Sequence, residues 1–391
     1  MKFSYFVIIF LVLLFSQCFS YIGWNPTLGG QIIKIVLLVM LFYSVLNVGK
    51  IPNTPMKPFV IGFLILPFVS IIGANAIHGQ SLSEGFRITM FTLSYLFFFV
   101  LYILKVEPRV IIKMCIVFGC FWVAMEAVQQ FTYPQIWFAT RYDTIDTAIE
   151  IRNGVYRFNM EGREFGLILL FFCFQKYLES PKRKYLLGII LGLVGVYLLA
   201  TRQIMVASIF CLLYGMFVMR KIKLTSLLAI LAIVLLIYYN INTLFGDYIE
   251  MTKDVDEDNI RMFSYNFYGI EYNHGQFLPF FIGNGLEGNS SYGKEIAKFQ
   301  EFGLYRADIG IIGMYSFYGI IYVLLVITFF VRIFKMRKSI DLYLKMYVLY
   351  MFVTSIMLHH FGYSTHHIMT LCILLYLIDS SIYKNTNTLA K

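Results

Sequence analysis

Residues Leu198 to Ser208, LLATRQIMVAS, join two long apolar runs through one charged residue, Arg202. An arginine at the centre of a bilayer costs at least about 2.5 kcal/mol, so a turn at a membrane surface is the favourable place for it. The flanking runs, 185–201 and 203–219, are short for a membrane span and require tilt or local thinning of the bilayer. This stretch therefore predicts two helices that cross a membrane, with Arg202 in the turn at one face.

The rest of the chain has the same character. Of its 391 residues, 59% are hydrophobic and 14% charged, and the mean hydropathy is +0.72, whereas soluble domains carry roughly 25% charged residues. Apolar runs bounded by charges, glycine or proline predict twelve spans: 3–21, 31–49, 59–76, 88–104, 110–128, 164–178, 185–201, 203–219, 224–245, 307–331, 343–358 and 366–383. The sequence thus predicts an all-α polytopic membrane protein, in which residues 1–391 form a single transmembrane domain.

The first apolar run also has features of a signal peptide, because a lysine precedes it. It lacks a small-residue cleavage site and is long for the apolar part of a signal sequence. We interpret it as the first span. Its removal would not change the predicted sidedness of the later ones.

The distribution of positive charge predicts the orientation. With the N-terminus in the cytoplasm, every inner connection is basic, and the inner side holds 20 of the 32 cations but only four of the 22 acidic residues. Both termini are then cytoplasmic. Because the formal charge of +10 follows from this asymmetry, it gives no support to nucleic-acid binding.

The cations on the predicted outer side differ in type. Lysine dominates inside, whereas eight of the 12 outer cations are arginine: Arg87, Arg141, Arg152, Arg157, Arg163, Arg202, Arg261 and Arg306. Topology requires only charge, but the planar guanidinium binds phosphate in a bidentate manner. Two interpretations remain open for each arginine, a phosphate ligand or an ion-pair partner of the acidic outer loops. For Arg202 the short connection offers no acidic partner.

A second charged group precedes the sixth span in YRFNMEGREFG, residues 156–166. If this stretch is helical, Arg157 and Glu161 share a face, and Arg163 and Glu164 follow directly. A carboxylate beside arginines stays ionised, so Glu161 could orient the arginines or accept a proton from a hydroxyl group. The alternative is a charged anchor at the mouth of the span.

The longest hydrophilic segment, 246–306, lies between the ninth and tenth spans on the predicted outer side. Its many aromatic residues favour a folded cap over a disordered loop. His274 within it is a candidate base, since histidine titrates near neutral pH. The acidic run DVDEDN, 254–259, resembles a calcium loop, but the required glycine and the final glutamate are absent.

Four histidines crowd the last predicted outer loop in HHFGYSTHH, residues 359–367. A zinc site there is conceivable, but neighbouring histidines in a short turn usually point apart, and no cysteine or acidic residue joins them locally. The six cysteines all lie within apolar runs without metal-ligand spacing. We therefore expect neither a metal nor another cofactor.

Three short motifs and the pattern of spans resemble the O-antigen polymerase (Wzy) family of bacterial polysaccharide assembly, which is related to the O-antigen ligases. The motifs are YRFNMEGREFG, LLATRQ, and GNGLEG followed by YRADIGIIGMYSFYGI, so the resemblance covers residues 150–330. Glu161–Gly162 stands where the family has Glu-Pro. Ala307–Asp308 stands where ligases typically have His-Asn, which favours a polymerase.

The resemblance implies a fold similar to GT-C-type glycosyltransferases in the bacterial inner membrane. Donor and acceptor would be glycans linked to undecaprenyl pyrophosphate, and a chain-length regulator protein would be a possible partner. Repeat units would be polymerised on the outer face of the membrane into O-antigen or a capsular or exopolysaccharide, with inversion and loss of lipid pyrophosphate. The candidate site residues are Glu161, His274 and Asp308 for catalysis and Arg157, Arg163, Arg202 and Arg306 for pyrophosphate.

Two alternatives remain, an O-antigen ligase and a polysaccharide flippase or other secondary transporter. Twelve spans suit a transporter. Transporters tend to show internal repeats and spans broken by glycine or proline around midplane polar residues. Here the ionisable residues lie at the ends of the predicted spans, which favours the polymerase.

The predicted orientation can be measured by cysteine labelling. Cysteines introduced within 246–306 should react with a membrane-impermeant thiol reagent in cells whose outer layer is permeable, whereas cysteines near Lys182 or Arg337 should not. Labelling near Lys182 would contradict the predicted orientation.

Overall fold

Apolar helices make up most of the chain in the computed structural model. The structure describes residues 3–17, 26–135, 137, 151–152, 154–158, 160–219, 255–273, 275–362 and 364–389. Within these ranges the non-helical regular structure is one short antiparallel pair, β1 (Ile151–Arg152) and β2 (Val155–Tyr156). The class predicted from composition, an all-α membrane protein, is confirmed.

Fifteen α-helices lie in the described residues. They are α1 (Phe3–Phe15), α2 (Pro26–Leu46), α3 (Lys57–His78), α4 (Leu82–Thr89), α5 (Leu96–Ile103), α6 (Pro108–Thr132), α7 (Arg163–Glu179), α8 (Arg183–Leu198), α9 (Arg202–Val218), α10 (Val255–Asn266), α11 (Phe277–Ile282), α12 (Ser291–Glu301), α13 (Gly310–Lys335), α14 (Leu342–Thr354) and α15 (Thr365–Leu389). A 3₁₀ stretch, Met90–Tyr95, joins α4 to α5.

Eleven of the twelve predicted spans coincide with these helices, and the ninth, 224–245, lies outside the described residues. Six helical stretches are long and apolar enough to cross a membrane: Leu28–Leu46, Lys57–His78, Leu82–Ile103, Pro108–Thr132, Gly310–Lys335 and Thr365–Asn385. The helices α1, α9 and α14 are apolar but shorter. Six candidate spans are therefore established, and the number twelve remains a prediction.

Side-chain contacts define two ends of the helix bundle. At one end, the carboxylate of Asp379 accepts hydrogen bonds from Met56 N at 3.1 Å and from the Tyr102 hydroxyl at 3.0 Å. This end also carries the basic connections and is called the basic end. At the opposite end, His78 contacts Asn284 of the segment 255–309, which we call the cap.

The central element is α15. In an 18-residue apolar window of its span Thr365–Asn385, 89% of the residues are buried within the protein, compared with 17% in the corresponding window of the peripheral helix α2. It contacts α1, α5, α6, α7 and α14. Because α15 is enclosed on all sides, its cap end places His366 and His367 among the ends of the surrounding helices.

The cap inserts part of its own chain into the bundle. The helix α13 is interrupted at Gly319, which has φ 78° and ψ 178°, about 14 Å along the helix from Gly310 at 1.5 Å per residue. The interruption frees the carbonyl groups of Ser316 and Phe317. Backbone N–H groups of Asn284 and Gly285 donate to them at 3.0 and 2.9 Å. An unpaired backbone group in hydrocarbon costs several kcal/mol, so these two bonds stabilise the break.

Glycine is required where the inserted segment meets the helices. A Cβ at Gly73 of α3 would lie 2.0 Å from the carbonyl oxygen of Gly283, and one at Gly319 would lie 2.2 Å from that of Phe281. Neither contact can relax by side-chain rotation, because both involve backbone atoms. The helices α3 and α13 therefore hold the segment 281–285 through three closely packed backbones.

Replacement of Gly73 by alanine tests this packing. We expect Gly73→Ala to destabilise the protein by about 1–3 kcal/mol through overpacking, measured as a lower midpoint of thermal unfolding after purification in detergent. Gly30→Ala is the matched control, because nothing lies within 4 Å of a Cβ there and alanine is favoured in a helix by about 0.5–1 kcal/mol. Equal midpoints for Gly73→Ala and the native protein would contradict the close backbone packing.

Candidate functional site

Charged side chains from α7 and α15 meet at the cap end. Arg163 and Glu164 are the first two residues of α7, and His366 and His367 lie in the first turn of α15. The start of α7 is fixed by Gly162, whose φ of +124° few other residues adopt and beside which the Trp122 indole is packed. We call these four charged and imidazole side chains the Glu164 cluster.

The two oxygens of Glu164 have different partners. Oε2 lies 2.7 Å from Nε2 of His366, and Oε1 accepts a hydrogen bond from Nε of Arg163 at 2.8 Å. The guanidinium also donates to Nε2 of His367 at 3.0 Å. A guanidinium nitrogen can only donate, so His367 Nε2 accepts here, and Nδ1 of His367 donates to the Ser364 hydroxyl at 2.6 Å.

His367 has a second possible partner at the same nitrogen. Its Nε2 also lies 3.3 Å from Oε1 of Glu164. The same ring nitrogen is therefore within reach of both the guanidinium of Arg163 and the carboxylate of Glu164.

Burial separates the inner and outer parts of the cluster. The side chain of His366 is fully buried and that of Glu164 is 6% exposed, whereas those of His367 and Arg163 are 12% and 26% exposed. A ligand from outside would therefore meet Arg163 and His367 first. Glu164 and His366 hold these two groups in place from behind.

Two histidines that precede α15 are neutral. Burial lowers the pKa of His359 to about 4 and that of His360 to about 3. His360 Nε2 lies 2.6 Å from the Thr354 hydroxyl, and His359 Nε2 donates to the carbonyl oxygen of Arg306 at 2.9 Å. The four histidines of HHFGYSTHH therefore divide into a structural pair and a pair bound to Glu164.

Other residues predicted for the site lie around the cluster. Glu161 is close enough to act electrostatically on Arg163 and His366. Asp308 ends the 3₁₀ turn that precedes α13, and desolvation of its carboxyl raises its pKa, while Arg261 and Arg157 act in the opposite direction. The structure thus brings Arg157 close to Asp308 and Glu161 close to Arg163.

Arg202 is the first residue of α9 and is half-buried. It follows the cap end of α8, and both α8 and α9 pack against α7. The helix–turn–helix predicted around Arg202 is present. Of the predicted catalytic residues, His274 lies outside the described residues.

Arg306 occupies an enclosed position rather than an open one. It is 2% exposed, donates to Glu287 Oε2 at 2.5 Å and to the Tyr292 hydroxyl at 2.8 Å, and lies 4.5 Å from the centre of the Phe317 ring. The prediction of Arg306 as a pyrophosphate ligand rested on residue type and sidedness. In this structure its guanidinium binds the cap to α13.

The sequence did not predict the pairing of Glu164 with His366 and His367. No acidic residue lies near the histidines in the sequence, so local spacing does not reveal their partner. The acidic partner comes from α7, 202 residues away from His366. The signal that could have found it is an acidic residue at the mouth of one apolar helix and two adjacent histidines at the mouth of another, on the same predicted side.

Comparison with known proteins identifies no relative. A scan against models of protein families found no match, and a search of curated proteins found no significantly similar sequence.

The contribution of Glu164 to stability can be tested with two substitutions on the same helix, α7. Glu164→Gln should destabilise the protein by about 3–5 kcal/mol, because it leaves Arg163 without its buried counter-charge. The measurement is the midpoint of thermal unfolding in detergent. Glu179→Gln at the other end of α7 is the control, because its pair with Lys176 is 37% exposed and such pairs contribute about 0–1 kcal/mol. A change at Glu164 no larger than that at Glu179 would show that the buried pair is not required.

Proposed function

We propose that this protein polymerises oligosaccharide repeat units linked to undecaprenyl pyrophosphate, at the outer face of the bacterial inner membrane. The observation that carries the proposal is the set of arginines, carboxylates and a partly exposed histidine at the cap end of an otherwise apolar helix bundle. Burying ionisable groups such as Glu164 and His366 is costly, which favours a functional role for the cluster. The three sequence motifs contribute residues to this same region.

In the proposed reaction a carboxylate accepts the proton of the acceptor hydroxyl, and arginines stabilise the leaving group. The acceptor hydroxyl attacks the anomeric carbon of the donor glycan, the bond from that carbon to the pyrophosphate oxygen breaks, and the configuration inverts. The hydroxyl proton passes to a carboxylate, for which we propose Asp308, because a raised pKa makes it a better base. The released lipid pyrophosphate carries several negative charges, which require stabilisation in the transition state.

Arginines supply that stabilisation in the proposal. Arg157 lies close to Asp308. The proposed base and an arginine that could bind the leaving group therefore lie in one region. Arg163 presents its guanidinium at the surface of the Glu164 cluster, oriented by Glu164 and influenced by Glu161. We place Arg202 in the same group, since α9 packs against α7. Donor and acceptor would reach these residues from the bilayer, with their lipid tails beside the helices.

One observation favours the rival function of a transporter. The helix α13 is broken at Gly319, and broken spans form substrate sites in many transporters. In those sites the freed backbone groups bind the substrate or the coupling ion. Here the carbonyls of Ser316 and Phe317 already bind Asn284 and Gly285. The break therefore binds the backbone of the cap, so it does not offer these two carbonyls to a substrate. The polymerase remains the better supported function.

Deletion of the gene distinguishes the three functions. Loss of a polymerase should reduce a ladder of surface glycan on a gel to a single repeat unit. Loss of a ligase should leave lipid core without glycan, and loss of a flippase should accumulate lipid-linked units on the inner face of the membrane. Either of the last two results would overturn the proposal.

Conservative substitution of the arginines tests the pyrophosphate site. Arg163→Lys and Arg202→Lys keep the charge but lose the bidentate geometry and at least one charge-assisted hydrogen bond, worth roughly 1.5–3 kcal/mol. We expect a loss of polymerisation rate of about tenfold to hundredfold at equal protein level, measured with purified lipid-linked repeats.

Arg87→Lys is the control for this experiment. Arg87 is also an arginine of the predicted outer side, but its side chain is 55% exposed and paired with Glu84, so lysine should be tolerated. Full activity of both Arg163→Lys and Arg202→Lys would show that these arginines do not bind the leaving group.

A further inference from the structure

The cap contains a pocket that is separate from the Glu164 cluster. It has a volume of about 290 Å³ and is lined by Ile260, Phe263, Asn266, Phe267, Glu271, Phe302 and Leu304. Small-molecule pockets usually occupy about 300–1,000 Å³, so this one suits a single small ring. We call it the cap pocket.

The aromatic walls of the cap pocket are open to the exterior. The side chains of Phe263 and Phe302 are 66% and 75% exposed, and that of Ile260 is 41% exposed. Exposed apolar groups of this size, gathered around one concavity, are typical of a binding surface. An aromatic face can stack on the C–H face of a flat or chair-shaped ring.

The polar edge of the pocket restricts the ligand further. Asn266 Nδ2 donates to Oε1 of Glu271 at 2.5 Å, and both side chains face the exterior. This pair offers the remaining carboxylate oxygen and the amide oxygen as acceptors for hydroxyl or ammonium groups. A hydrocarbon chain would lie against an ionised carboxylate at a cost in free energy, and an anionic ligand would be repelled by it.

The backbone around the pocket is irregular. Residues Phe267–Glu271 form a π-helical turn, in which Tyr272 N donates to the carbonyl oxygen of Phe267 at 2.7 Å. Such turns are rare and occur frequently at functional sites. The wide turn places Phe267 and Glu271, its first and last residues, on the wall of the same pocket.

We infer that the cap pocket binds a neutral or amino sugar and excludes acidic sugars. A pyranose ring has the required chemistry, since its C–H faces are apolar and its rim carries hydroxyl donors. The inference rests on the proposed function in one respect. The bound sugar unit would belong to the growing glycan chain and would lie away from the glycosidic bond being formed. The pocket would then retain the growing chain between successive transfers.

Saturation-transfer NMR tests binding without any turnover. The purified protein is mixed in turn with N-acetylglucosamine, galactosamine and glucuronic acid. We expect saturation transfer to the first or second sugar and at least threefold less to glucuronic acid. Phe263→Ala should reduce the signal at least threefold, and Glu271→Gln, a mild change at an exposed position, should raise the signal of glucuronic acid.

Phe277→Ala is the matched control. Phe277 is 78% exposed on α11 of the same cap but does not line the pocket, so its replacement should leave sugar binding unchanged. Absence of saturation transfer to all three sugars, or equal signals in the native protein and Phe263→Ala, would overturn the inference. Transfer to lipid acyl chains that is lost in Phe263→Ala, without transfer to a sugar, would overturn it in favour of a hydrocarbon ligand.

The chain-length distribution separates this inference from the proposed function. Phe263→Ala should shorten the glycan ladder in cells, whereas Phe277→Ala, outside the pocket, should leave the length of the ladder unchanged. If sugars do not bind but Arg163→Lys still loses polymerisation, only the cap pocket assignment fails. If sugars bind but the native protein forms no polymer from lipid-linked repeats, the polymerase assignment fails and the pocket remains.

Discussion

Charge neutralisation of the Glu164 carboxylate, which is only 6% exposed, is the interaction on which the architecture of the cap end depends. In a membrane helix an unpaired carboxylate would be severely destabilising, so Glu164 requires donors close to it. Arg163 and His366 provide them, and the pairing joins the start of α7 to the start of α15. Because α15 is the central helix, this contact positions the groups around it.

The cap depends on a related constraint, the satisfaction of buried polar groups. Arg306 is enclosed with Glu287 and Tyr292, and its carbonyl oxygen accepts a hydrogen bond from His359. Since burial keeps His359 neutral, this bond does not depend on protonation near physiological pH. The cap is thus connected to the loop that leads into α15, and so to the Glu164 cluster.

Apolar runs predicted most helices, because a hydrocarbon solvent requires long uninterrupted apolar segments and leaves a strong signal in sequence. The break at Gly319 was not predicted, because GIIGMYSFYGII contains neither proline nor a charged residue and its interruption depends on Gly283–Gly285 from another segment. Local charge predicted Arg157, Glu161 and Arg163 as one group; the structure brings Glu161 close to Arg163, and Arg157 close to Asp308. The partners of Glu164 were missed, and the enclosure of Arg306 could not be read from residue type, because both depend on contacts between distant elements.

The three-way backbone contact at Gly73, Gly283 and Gly319 limits which segments of this protein can be replaced by segments from other proteins. A cap transplanted from another membrane protein without this glycine spacing could not bring its backbone N–H groups close enough to complete α13. A transplanted α13 without its cap would present two bare carbonyls inside the bundle. The helices α3 and α13 and the segment 281–285 must therefore change together in evolution, and a working chimaera would have to take all three from one parent.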